Sequence, residues 1–116
     1  MRHHVKGRNL GRPKNQRVAL KKSLMRSLII HERIATTEAK AKEIRPLIEK
    51  MVTRARTDSV ANRRLTMARI GDADAVKKLF TTIAPRFKGQ EGGYVRIVKR
   101  AVKADGRKNA YIAFTK

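Results

Sequence analysis

Apolar positions change period twice along the chain. From about Asn15 to His31, Leu20, Leu24 and Leu28 fall at i, i+4 and i+8, and Met25 and Ile29 widen the stripe. This predicts an amphipathic helix. The next run, His31 to Thr37, is too short for another helix, and its β-formers Ile34 and Thr36 predict a short strand at 33–36. Thr37 is placed to cap a second helix, with Glu38 at the positive end of its dipole. That helix, about 37–56, carries Ile44, Leu47, Ile48, Met51, Val52 and Ala55 on one side. Glu38–Lys42 and Arg45–Glu49 are surface pairs four residues apart. Pro46 predicts a kink and not a break, because the stripe stays in phase across it.

Thr57-Asp58-Ser59 marks a third helix start, and Gly71 its end. Val60, Leu65 and Met67 or Ala68 are the expected apolar side. Asp72 or Asp74 starts a fourth helix with Val76, Leu79, Phe80 and Ile83 in phase, ending at Pro85. After the turn cluster Gly89, Gly92 and Gly93 the period becomes two. Tyr94, Arg96, Val98, Arg100 and Val102 share one strand face; Val95, Ile97, Lys99 and Ala101 share the other. Asp105-Gly106 makes a turn, and Ala110 to Thr115 is the second strand of a hairpin. The order is α-β-α-α-α-β-β. This is an α/β fold of the α+β kind, in two layers, with a small mixed sheet packed on helices. Residues 1–13 lack periodicity and are broken by Gly7, Gly11 and Pro13. They read as an extended basic N-terminal arm, and residues 14–116 as a single globular α/β domain.

Charge narrows the function. The chain has 30 Lys and Arg against nine Asp and Glu, a net charge of +21. Such self-repulsion calls for counter-charge, and phosphate is the obvious source. The cations gather in three regions. The first is the arm and first helix, with Arg2, Lys6, Arg8, Arg12, Lys14, Arg17, Lys21, Lys22 and Arg26 and no acid before Glu32. His3 and His4 add groups that can hydrogen-bond phosphate or stack on bases. The second is the third helix, with Arg63, Arg64 and Arg69. The third is the hairpin, with Arg96, Lys99, Arg100, Lys103, Arg107 and Lys108; Arg86 lies just before it. Lys22 and Arg26 share a face of the first helix. Arg17 and Lys21 fall within its apolar arc, where they either snorkel or project beyond the core; the adjoining basic arm favours projection into the ligand.

Charge spread over several elements fits contact with several nucleic-acid segments better than reading of one groove. Aromatic residues are few and mostly in core-like positions. Phosphate and shape contacts are therefore the expected mode, without a base-stacking sheet. The absence of cysteine excludes disulfides and thiolate zinc sites. Adjacent His3 and His4 on an arm are a poor start for a metal site, and nothing fixes two histidines for RNA cleavage. No nucleophile elbow, P-loop or GxGxxG motif is present. No enzyme activity, cofactor, metal or small-molecule substrate is expected. No apolar run approaches the roughly 20 residues that span a bilayer, and no signal peptide is recognisable, so a soluble cytoplasmic protein is the default.

Three stretches carry a resemblance: MRHHVKGRNLGR, then HERIATTEAKAKEIRPLIEKMVTRARTDSVANRRL, then APRF with GGYVRIVK. The chain resembles the family of protein seventeen of the bacterial large ribosomal subunit, with TDSVANRRL at 57–65 as the most specific block. The resemblance implies a non-catalytic constituent of the large subunit. It implies binding to large-subunit ribosomal RNA near the exit of the nascent-peptide tunnel, with neighbouring large-subunit proteins as partners. It also implies that Arg2, His3, Arg8, Arg12, Arg63 and Arg64 lie near RNA. The alternative from composition alone is a free nucleic-acid-binding accessory protein of the nucleoid type. If the arm is separate from the core, deleting residues 1–13 leaves the thermal unfolding of the remaining chain almost unchanged and weakens its incorporation into ribosomal RNA. Calorimetry and a reconstitution assay check the two halves of that expectation.

Overall fold

The structure, a computed structural model, describes residues 13–100 and 106–116. Helix α1 spans Lys14–His31, strand β1 Arg33–Thr37, helix α2 Glu38–Ala55, helix α3 Val60–Ile70 and helix α4 Ala73–Lys78. A π turn at Leu79–Ile83 and a 3-10 turn at Ala84–Phe87 follow, then strands β2 at Val95–Lys99 and β3 at Asn109–Phe114. The α-β-α-α-α-β-β order holds. The sheet differs from the expected mixed one: its order is β1-β3-β2 and both pairings are antiparallel. The last strand in sequence is the central one, so β1 closes onto a partner more than seventy positions away (Arg33 opposite Ala113).

Local chemistry sets most boundaries. The Thr37 hydroxyl accepts from Lys40 N–H at 3.3 Å, and the Ser59 hydroxyl accepts from Asn62 N–H at 3.1 Å. Asp72 caps α4 through Asp74 N–H at 3.0 Å. Each satisfies a donor that the first turn leaves orphaned. Gly71 closes α3 at φ 75°, where a side chain would be strained. Helix α2 runs unbroken through Pro46.

Pro85 does not end the fourth helical segment. Ala84 N–H reaches back to the Leu79 carbonyl in the wide π spacing, and Pro85 then enters the first turn of the 3-10 segment, where it owes no N–H. The change of pitch carries Ile83, Ala84 and Phe87 into the core.

Helix α2 lies across all three strands, while α3 and α4 pack against α1 and against each other. Leu28, Ile29, Ile44, Ile48, Val52, Leu79, Ile83 and Ile112 are fully buried between these layers. Burial of each such side chain contributes on the order of 1.5–3 kcal/mol, the largest favourable term available to a small domain. Ala110, Ile112 and Phe114 face inward on β3, as the alternation requires.

Tyr94 breaks the expected alternation. It is buried beside Val95, because Gly92 (φ 131°) and Gly93 (φ 66°) turn the chain sharply just before it. Its ring meets Phe87 edge-on at 5.1 Å, and its hydroxyl donates to the Gln90 carbonyl at 3.1 Å. The expected continuation of β2 through Ala101 and Val102, and the turn at Asp105, lie outside the described residues.

Helix α3 is rotated from its expected phase. Val60, Leu65 and Met67 are exposed, at 67%, 52% and 40%, and Ala68 is exposed too. Asn62, Thr66 and Ile70 point inward instead. Asn62 is held inward at the α2–α3 connection, its amide donating to Thr57 O at 2.7 Å and to Arg54 O, which also accepts from Thr57 N–H, at 3.3 Å. Buried Thr66 satisfies itself on the Asn62 carbonyl at 2.9 Å. A polar demand thus sets the rotation, against the apolar pattern. Ile48→Ala is expected to cost about 2–5 kcal/mol in urea unfolding. Leu65→Ser is expected to stay within about 0.5 kcal/mol of the parent. The reverse order would place α3 in its sequence-expected phase.

Candidate nucleic-acid interface

The acids of this chain sit mostly at joins between elements. Glu32 ends α1 in the left-handed conformation, φ 64°, with its N–H on the Leu28 carbonyl. Its carboxylate binds Arg86 of the 3-10 turn and lies 3.3 Å from Lys78 of α4. Arg86 also donates to the Lys116 carbonyl at 3.2 Å, and Phe114 N–H donates to the Glu32 carbonyl at 3.2 Å. Glu38 holds Lys42 at 2.8 Å and Lys99 of β2 at 3.5 Å. Glu43 of α2 holds Lys21 of α1 at 3.2 Å. Glu49 accepts from the backbone of Tyr94 and Val95 at 3.2 and 3.4 Å. Asp58 takes Arg63 in a two-pronged pair at 2.7 and 2.8 Å.

This arrangement sorts the expected RNA-binding residues. Arg86 is held by Glu32, and Arg63 by Asp58, with its guanidinium also 5.2 Å from the Phe80 ring centroid. Lys21 lies 3.2 Å from Glu43 at the edge of the α1–α2 contact. Arg17 is half-buried on α1. Lys99 reaches Glu38 but stays 70% exposed. Lys14, Lys22, Arg26, Arg64 and Arg96 have no carboxylate partner among the described residues, and Lys14, Arg64 and Arg96 are exposed. Arg100 is exposed as well, while Lys22 and Arg26 are half-buried on α1. Arg2, His3, His4, Lys6, Arg8 and Arg12 lie outside the described residues.

A further group was not expected. The face of the sheet away from α2 carries Arg33 and Ala35 from β1, Tyr111 and Ala113 from β3, and Arg96 and Val98 from β2. Arg33 Cζ lies 4.2 Å from the Tyr111 ring centroid and Arg100 Cζ lies 4.7 Å from it. Each contact is a cation–π interaction of about 0.5–1 kcal/mol at such an exposure. Alternation alone puts Arg100 and Tyr111 on strand faces. Bringing them together with Arg33 needs the β1–β3 pairing, which no local pattern announces.

The family model described as ribosomal protein L17 matches residues 20–115. The chain belongs to the ribosomal protein L17 family. The large ribosomal subunit protein bL17 of Thermomicrobium roseum (strain ATCC 27502 / DSM 5159 / P-2) is 51% identical over 115 residues, covering 98% of each chain. The bL17 protein of Hydrogenobaculum sp. (strain Y04AAS1) is 50% identical over 99 residues, covering 85% of this chain and 84% of its own length.

In this L17-family chain the pairings leave an electrostatic signature. Hydrogen bonding to Arg86 holds the Glu32 carboxyl below its ordinary value of 4.5, despite some desolvation. Lys42 lowers Glu38 and Arg63 lowers Asp58 in the same way. A carboxyl lowered by folding stabilises the fold above its unfolded pKa, and that contribution disappears as pH falls through the lowered value. Glu32→Gln is therefore expected to be less stable near neutrality by up to about 1 kcal/mol, a modest figure because the pair is partly solvated. Below the ordinary carboxylate range the two proteins should converge. Thermal unfolding across pH tests this; a gap that persists in strong acid would show that packing, and not the ion pair, is responsible.

Proposed function

We propose that this protein is a structural, non-catalytic constituent of the large ribosomal subunit, located there in the cytoplasm. It binds large-subunit ribosomal RNA through phosphate and shape contacts. Neighbouring large-subunit proteins are its other partners. The observation that carries the RNA reading is the sorting of charge: acids hold the protein's own joins, while exposed Lys14, Arg64 and Arg96 and half-buried Lys22 and Arg26 have no acid partners among the described residues. Cations that the fold does not use remain available for phosphate. Family membership names the assembly, since the two relatives above are large-subunit proteins. The position near the tunnel exit is supported by the family resemblance. The basic residues of 1–13 supply further phosphate contacts in this reading, and their dense charge supports that role. Among the described residues no helix is long and apolar enough to cross a membrane.

Sucrose-gradient fractionation tests the proposal. The protein should cosediment with large subunits and remain there at moderate salt, because many contacts act together. A free binder making about 6–10 phosphate contacts would lose roughly 10³–10⁵ in affinity between 50 and 200 mM salt. The combined Lys22→Glu, Arg26→Glu, Arg64→Glu variant should keep its fold by circular dichroism and fail to incorporate. Cosedimentation with nucleoid DNA and not with large subunits would favour the accessory-protein alternative.

A further inference from the structure

We propose that the open face of the sheet around Tyr111 is a docking site for an unpaired RNA nucleotide. The proposal rests on the ribosomal reading above and gives this face a recognition mode different from the phosphate contacts of α1 and α3. Phe80, Phe87, Phe114 and Tyr94 are all buried. Tyr111 is half-buried on the open face, with Arg33 of β1 and Arg100, the residue just after β2, drawn to its ring.

Two guanidiniums on one ring repel each other. Where two cations meet elsewhere, an acid stands between them: Glu32 holds Arg86 and Lys78, and Glu38 holds Lys42 and Lys99. On this face no acid is present among the described residues: the register sets Arg33, Ala35 and Thr37 against Ala113, Tyr111 and Asn109, and these against Arg96, Val98 and Arg100. The missing counter-charge points to an anion from outside.

Charge alone would be served by lysines. What stands here is planar: two guanidiniums pre-oriented by a ring, beside the 50%-exposed side chain of Val98. Arginine planes and aromatic rings take the faces of unstacked bases, whereas duplex RNA hides those faces inside its stack. Arg100 also borders a depression of about 350 Å3 lined by Ala35, Thr36, Thr37, Lys40 and Asn109. The hollow offers what a nucleotide needs around a stacked base. Lys40 can meet the phosphate, the Asn109 amide can both donate to and accept from a base edge, and the apolar wall of Ala35 suits a ring.

Proton NMR of the full chain reads this directly, because the protein has two tyrosines and one of them, Tyr94, is buried and serves as a fold control. A short single-stranded RNA of mixed sequence should move the Tyr111 ring resonances and the Arg33 and Arg100 side-chain N–H signals. The same sequence annealed to its complement should leave Tyr111 in place. Arg100→Lys keeps the charge and removes the plane; it should weaken single-strand binding roughly tenfold, the size of one lost stacking contact, and leave duplex binding unchanged. Val98→Asp, at an exposed position that does not threaten the core, should weaken single-strand binding as well. An equal Tyr111 response to both RNAs, or an Arg100→Lys protein that binds the single strand as the parent does, would overturn the proposal. So would a Tyr111 response to an acidic peptide with none to single-stranded RNA. Wild-type protein that cosediments with large subunits yet shows no Tyr111 response overturns this inference and leaves the ribosomal reading standing. Absence from large subunits would remove the ribosomal reading itself.

Discussion

Glu32 gathers Arg86 and Lys78 where α1 gives way to β1, and its placement shows how a chain with 30 Lys and Arg against nine Asp and Glu stays compact. That one residue ties the end of α1 to α4, to the 3-10 turn and, through its carbonyl, to the last residue of β3. The other acids follow the same logic. Glu43 joins α2 to α1, Glu38 joins α2 to β2, and Glu49 receives the two amides at the entry to β2. Partly exposed ion pairs are worth at most about 1 kcal/mol each, so burial remains the main source of stability. What the acids add is local: they remove repulsion where cationic elements must pack closely, and they fix which elements meet.

Features governed by neighbours in sequence were legible from it. The Leu20–Leu24–Leu28 stripe marked α1, Thr37, the Thr57-Asp58-Ser59 run and Asp72 or Asp74 marked helix starts, and Gly71 marked a stop. Each is a matter of period or of one orphaned donor within a single turn. Features decided across the fold were not legible. Asn62 turns inward to donate to the carbonyls of Thr57 and Arg54 at the α2–α3 connection, and no helical period contains that information. Pro85 reads as a stop, yet a π turn before it supplies a backbone geometry that accepts it. The central position of β3 depends on a long-range pairing with β1, which local alternation leaves open.

The same division holds for the interface. Counting cations points to a polyanion as partner but does not say which cations the fold itself engages. Arg63, Arg86 and Lys21 look like equally good candidates in sequence and prove to be engaged by Asp58, Glu32 and Glu43. Tyr111 received no role, since a tyrosine in a two-residue alternation is more often a wall of the core. Its significance depends on Arg33 of β1 and Arg100, just after β2, arriving at its ring.

The outward cations thus fall into two chemically different sets. Lys14, Lys22, Arg26 and Arg64 ride on helices, on side chains long enough to follow a phosphate backbone as it varies. Arg33 and Arg100 are held against a ring on a three-stranded sheet, where hydrogen bonding fixes the backbone on both sides of Tyr111. A mobile cation gains from phosphate whatever the sequence or pairing of the RNA. A guanidinium plane oriented by a ring gains most from a partner that is also planar, and that contact offsets part of the rotamer freedom that stacking would otherwise cost. Helices that hold phosphate and a sheet that selects an exposed base would let a small basic domain fix both its position and its orientation on folded RNA.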